Sequence, residues 1–342
     1  MRSDWQNYLS KRGALIEQGV VQHFGDLGAE LAATKQDGVC ADLSHTGLLL
    51  CSGEDAGSFL HSQFSGDVKA LDLNSSHYAS YCTAKGRMLA TFLLWKMPNG
   101  YAMQLPAELL APIQKRLAMF TLRAKAKGVD IGEQYARFGI AGTQCEALLQ
   151  KIFGGAPLLP HQVRQLDDGA LIRLDGMRFE LVLASESAQF YWEKLVAELK
   201  PVGTPCWEWL DIRAGIPWIT AATQEQFIPQ MANLELIGGV NFKKGCYPGQ
   251  EIVARTQYLG KVKRRMFLAN VNAAALPIAG DPLFSTDPAA QESGMIVNAQ
   301  SAPDGGYDVL AVLQTSSVEA GAVHLKAPDG PPLQFLALPY AA

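Results

Sequence analysis

The sequence predicts an α+β protein, with two α+β units followed by an antiparallel sheet or small barrel. Three observations carry that expectation. Strand-like and helix-like stretches alternate from 46 to 105, and a similar order recurs from 136 to 200. After Arg265 the chain turns to short apolar runs divided by Gly, Pro and Asp. At 342 residues it is long enough for more than one core.

Taken in order, residues 46–51 form a short apolar run ending at Ser52-Gly53, which reads as a strand. Residues 54–64 open with acids and carry Phe59, Leu60 and Phe64 on one helical face. Residues 77–83 and 88–95 read as strands around the turn Lys85-Gly86-Arg87, and Pro98-Asn99-Gly100 marks the next turn. Pro106 introduces a helix with Leu109, Ile113, Leu117 and Phe120 at helical spacing. In the second unit 136–141 is strand-like, and Thr143 with Glu146 matches a capping box. Strands follow at 170–174 and 178–184, then an amphipathic helix over 185–200 carrying Phe190, Leu195, Val196 and Leu199. The two units lie about 80–90 residues apart, a spacing that suggests an old duplication. A short helix bounded by Thr204-Pro205 and Gly215-x-Pro217 contains Trp207 and Trp209. The apolar runs 266–271, 294–297, 309–313 and 333–338 make the C-terminal sheet, with a domain boundary near 260.

Composition narrows the function classes. Hydrophobic residues make up 48% and charged residues 18%, as in a soluble globular protein, and the net charge of −4 predicts no nucleic-acid or membrane partner from the total. No apolar run approaches the ~20 residues that span a bilayer, and the first residues hold no apolar signal core, so a cytoplasmic location is expected. The six cysteines (40, 51, 82, 145, 206, 246) include no C-x-x-C pair, and the six histidines show no metal spacing. No protein-held metal is expected.

The informative stretch is 227–265, FIPQMANLELIGGVNFKKGCYPGQEIVARTQYLGKVKRR. Its glycines permit tight turns and close backbone approach to a ligand. Within 243–265 seven basic residues (Lys243, Lys244, Arg255, Lys261, Lys263, Arg264, Arg265) against Glu251 give +6, leaving −10 on the rest of the chain. Such a patch reads either as a site for carboxylates or phosphates or as a solvated basic edge. Cys246 sits two residues from Lys244; a nearby cation stabilises the thiolate, whereas burial would leave the thiol inert. Gln250 and Glu251 follow a Pro-Gly turn and project from its rim. No phosphate loop is present. Trp207 and Trp209, two apart, point in different directions, one free to stack on a flat ligand and one to pack inward. The Lys85-Gly86-Arg87 tip either reaches across a cleft or is a charged turn.

K-G-C-Y-P-G-Q-E-I-V-A-R, residues 244–255, resembles the K-G-C-[YF]-x-G-Q-E signature of the YgfZ family, folate-binding relatives of the glycine-cleavage T-protein (aminomethyltransferase). WEWLDIRAGIP (207–217), FIPQ (227–230), Asn233-Leu234, LIGG (236–239) and TAKGRM (83–88) follow in the family's order, over roughly 43–265. The resemblance implies a three-domain, ring-like aminomethyltransferase fold: residues 1–134 and 135–260 as two interleaved α+β units, and 261–342 as a C-terminal antiparallel barrel. It implies a tetrahydrofolate-type ligand in a central channel. Cys246 would be the catalytic residue, and Trp207, Arg213, Gln230, Lys244, Tyr247, Gln250, Glu251, Arg255, Lys85 and Arg87 would bind the ligand. Folate, iron–sulfur enzymes and tRNA-modifying enzymes are the implied partners, in support of iron–sulfur enzyme assembly or repair and tRNA modification.

Departures from the aminomethyltransferase pattern matter as much. Its catalytic acids would fall at Ala90 and Thr91, its pterin-binding glutamate at Arg213, and a second tryptophan found near folate in some relatives at Thr46. A folate-dependent one-carbon transferase, the second reading, therefore lacks its acid–base group. Direct RNA binding through 261–265 is the third reading.

Overall fold

A computed structural model describes residues 1–260, 262–286 and 292–341. The expected α+β class holds, and three main sheets carry it. One is six-stranded, in the order Val163–Leu166, Gly169–Arg173, Arg178–Ala184, Tyr135–Ala141, Val39–Asp42, Lys200–Val202. All its pairs are antiparallel except the last. A five-stranded sheet runs Ser76–Cys82, Met88–Met97, Gly100–Pro106, Thr46–Ser52, Lys127–Asp130. The C-terminal sheet has the order Val323–Leu325, Pro282–Ser285, Gly294–Ser301, Tyr307–Gln314, Arg264–Val271, Leu333–Leu336.

The chain packs as two compact units of interleaved segments. The first comprises Met1–Ala56, Ala70–His77 and Leu94–Leu210. Its core follows strand alternation: Phe179, Leu181 and Leu183 share one sheet face with Phe138, Ile140 and Leu171 and meet Trp192 and Leu195. The second comprises Gly57–Lys69, Tyr78–Leu93 and the chain from Asp211 onward. It holds the aromatic group Phe64, Tyr81 and Phe92 and the C-terminal sheet, whose core is Ala269, Val271, Leu283, Ile296, Val309, Ala311 and Leu313.

Several expectations change. The helix after 141 is Cys145–Phe153 with Gln144 as its N-cap and no side-chain cap, so the expected Thr143–Glu146 capping box is one residue out of register, and the Glu146 carboxylate meets Arg173 Nη1 at 3.2 Å. The 185–200 helix is shorter, a 3-10 turn Ser185–Ser187 and then Ala188–Val196. Ala188, Trp192 and Leu195 form its buried face, and Leu199 is buried beyond its end, while Phe190 is exposed, as is Phe120 at the end of Ala107–Phe120. The C-terminal element is a curled half-barrel, not a closed barrel. Its end strands are short, and near them Pro331 and Pro332 carry no N–H, so a single bridge, His324 to Pro332, stands where a ladder would close the sheet.

Candidate functional site

The motif is built on two glycines. Residues 83–88 form a tight turn in which Thr83 N donates to Arg87 O (2.8 Å) and Gly86 N to Thr83 O (2.9 Å), with Gly86 at φ +72°. Gly249, at φ +82°, precedes the helix Gln250–Leu259. A Cβ on Gly249 would lie 2.5 Å from Gly86 Cα and from Thr83 O, and one on Gly86 would lie 3.2 Å from Ile252 Cβ. Only glycine at both positions lets the hairpin tip touch the helix start. The T-A-K-G-R-M and P-G-Q-E segments, far apart in sequence, are therefore one joined piece, with Lys85 beside the helix start.

Around it lies a hydrogen-bonded frame. Arg87 donates to the Gln226 carbonyl, and Met88 N donates to Phe227 O (2.8 Å), which seats the F-I-P-Q segment on the hairpin. Gln230 is fully buried, its Nε2 donating to Val253 O (2.6 Å) on the inner side of the motif helix. Arg265 donates to Gln230 O (3.0 Å) and pairs with Glu235, whose carboxyl burial pushes up while Arg265 pulls it down. Asn233, at φ +56°, donates from Nδ2 to Met266 O (2.8 Å).

The cysteine turn sits on the same frame. Lys244 is buried, its Nζ donating to the carbonyls of His61 and Phe64 at the end of the helix Ala56–Gln63 and lying 4.9 Å from the Tyr247 ring. Burial draws its pKa down from 10.5 to about 8. Tyr247 is buried as well, which pushes its phenol up. Between these anchors Cys246 is exposed, whereas Cys40, Cys51, Cys82, Cys145 and Cys206 are all buried. Burial raises the Cys51 thiol to about 11 and those of Cys82, Cys145 and Cys206 to about 12. His61, which carries no sequence signal, also belongs here. Its Nδ1 is 3.2 Å from Asp67 Oδ1, and a Cβ on Gly245 would lie 3.7 Å from its Nε2. Burial first, then Lys244, lowers the His61 pKa.

Gln250 Nε2 reaches Lys244 O at 3.4 Å; Lys85, Glu251 and Arg255 are exposed. Lys261 lies outside the described residues. Arg213 is exposed and 3.5 Å from Asp308. Thr91 is buried; its Oγ1 donates to Pro217 O (2.9 Å) and accepts from Ile219 N (3.1 Å). Trp207 belongs to the first unit and is 3% exposed. Gly139 lies against its ring, where a Cβ would come within 2.4 Å, and the Arg178 guanidinium is 5.5 Å from the ring centroid. The first unit also holds a cavity of about 490 Å³, lined among others by Trp5, Tyr8, Thr46, Asp130, Glu133 and Arg137. None of the ligand residues expected from the sequence lines it. Among the described residues no group of three His, Cys, Asp or Glu is placed to hold a metal ion, and no helix is long and apolar enough to cross a membrane.

Residues 7–166 match the model of the GCVT N-terminal domain. The tRNA-modifying protein YgfZ of Yersinia pestis (strain Pestoides F) is 31% identical over 297 residues, 86% of this chain and 90% of that protein. The YgfZ protein of Hamiltonella defensa subsp. Acyrthosiphon pisum (strain 5AT) is 32% identical over 275 residues, 79% of this chain and 82% of that one. The fold is that of the glycine cleavage system aminomethyltransferase T from Bartonella henselae, with a TM-score of 0.81 at 19% identity over 98% of this chain and 96% of that one. With its K-G-C-Y-P-G-Q-E turn and T-A-K-G-R-M tip joined through Gly249 and Gly86, the chain belongs to the YgfZ family of tRNA-modifying proteins.

Proposed function

We propose that this protein is a tetrahydrofolate-binding accessory protein that supports iron–sulfur enzymes, those modifying tRNA among them, with Cys246 as its reactive group. One observation carries the reading: of six thiols only Cys246 is exposed, and it is held between two anchored neighbours, Lys244 and Tyr247. Kinship with the GCVT family supports folate as the ligand. The donor set suits its acidic tail, because Lys85 and Arg255 are exposed cations on the hairpin tip and the motif helix. The bound folate supplies one-carbon and redox chemistry; the chain's own residues bind and orient it. Gln230, Lys244 and Tyr247 act as frame in this reading, and Arg87 fixes the hairpin tip. Trp207, packed against Gly139, keeps the shape of the first unit. An aminomethyl transfer is disfavoured by Ala90 and Thr91 at the positions where its acids would fall, the latter engaged with Pro217 and Ile219.

The test is a titration of the purified chain with tetrahydrofolate, following tryptophan fluorescence in the wild type, Trp207→Phe and Lys85→Glu. Saturable binding weakened several-fold in Lys85→Glu supports the reading; no binding by the wild type overturns it. In parallel, Cys246→Ala should keep folding and folate binding while iron–sulfur enzyme activity in cells falls. Normal activity in that variant removes Cys246 from the function.

A further inference from the structure

Beyond Arg255, which the folate reading uses, the outward side of the motif helix has a composition that neither the fold nor that reading explains. Val253 is the buried residue of Gln250–Leu259. Arg255, Tyr258 and Leu259, at i, i+3 and i+4, share a face that points to solvent, with Tyr258 68% and Leu259 84% exposed. Phe242 meets the Tyr258 ring edge-on at 6.0 Å, which brings the exposed Lys243 to the same end of the helix. Lys263, also exposed, follows shortly after the helix ends. The opposing charge on this stretch is Glu251, in a chain whose remainder carries −10.

We propose that this face, centred on Tyr258 and flanked by Lys243 and Lys263, is a contact surface for single-stranded RNA. It extends the reading above and rests on it for the link to tRNA modification. The cations match a phosphate backbone, and an exposed phenol ring beside them offers a platform for an unstacked base. An acidic protein partner fits less well. Protein interface cores are poor in lysine, whereas here the exposed Lys243 is next to Phe242 in sequence and the exposed Lys263 follows the helix. The helix is held from its inner side by Gln230, so its hold on the fold does not depend on those side chains.

The experiment uses the full chain and a labelled RNA stem-loop with a single-stranded loop, read by fluorescence anisotropy from about 50 to about 200 mM salt. Binding by the wild type should weaken steeply with salt. Lys243→Glu with Lys263→Glu should lower affinity more than tenfold and flatten the salt slope, each lost phosphate contact removing about 0.7 from the log–log slope. Tyr258→Ala should cost about 5- to 150-fold and leave the slope unchanged. No binding by the wild type at low salt, equal affinity in Tyr258→Ala, or equal affinity for a blunt duplex overturns the proposal. So does retention of an acidic protein through the same residues without RNA. Tetrahydrofolate titration of the same variants keeps the two readings apart. Folate binding without RNA binding sinks only the RNA surface; RNA binding without folate binding sinks only the folate reading.

Discussion

Lys244 shows how a motif residue can serve the frame rather than the ligand. The sequence places it as a cation beside a thiol. The fold spends its charge on two carbonyls at the end of a helix, where a positive group satisfies acceptors that have no intrahelical partner. Burial has a titration consequence. The folded-state pKa of about 8 lies below the ordinary 10.5, so between those values the unfolded chain holds a proton that the folded chain has released. The contribution of Lys244 to stability therefore rises with pH through that window. Urea denaturation of wild type and Lys244→Met from pH 7 to 10.5 should show the difference between them growing in favour of the wild type, and a pH-independent difference contradicts the assignment.

At the scale of elements, the contact of Gly86 with Gly249 decides whether the hairpin and the helix meet. Gly249→Ala faces both a left-handed backbone and a 2.5 Å approach to Gly86 Cα, which together cost about 1–3 kcal/mol or more. Thermal unfolding measures that loss, and an unchanged midpoint rejects the contact. Gly238, at φ +78° with open space around it, serves as the control for backbone strain alone. Sequence reading reaches the strands well, because apolar runs such as 178–184 or 88–95, bounded by turn residues, are local information. The motif helix escapes it. Val253 is its buried residue, so it has no apolar stripe, and its N-cap is Gly249, which bears no capping side chain. The capping box at Thr143 fails in register, since the helix takes Gln144 as its N-cap, and Glu146 meets Arg173, a partner distant in sequence. His61 and the docking of Gly86 depend entirely on such distant pairings. The motif was legible as a string of residues, but its division into anchors and one exposed thiol was not.

On the scale of the whole molecule, the two units exchange segments along the chain. The segments Gly57–Lys69 and Tyr78–Leu93 belong with residues from Asp211 onward, while the stretches between them belong to the first unit. A chain ended after Leu210 keeps Phe64, Tyr81 and Phe92, fully buried residues of the second unit, without most of that unit. Such a truncated chain should aggregate or fail to unfold cooperatively. A soluble monomer with one sharp thermal transition would show the first unit to be self-sufficient.

Interleaving also sets a timetable for synthesis. A ribosome makes the Gly57–Lys69 and Tyr78–Leu93 segments early, yet the rest of their unit emerges only once translation has passed Asp211. Until then an aromatic-rich hairpin waits in the nascent chain, open to chaperones, and the cysteine turn forms only when residues 244–249 arrive to meet Gly86, His61 and Phe64.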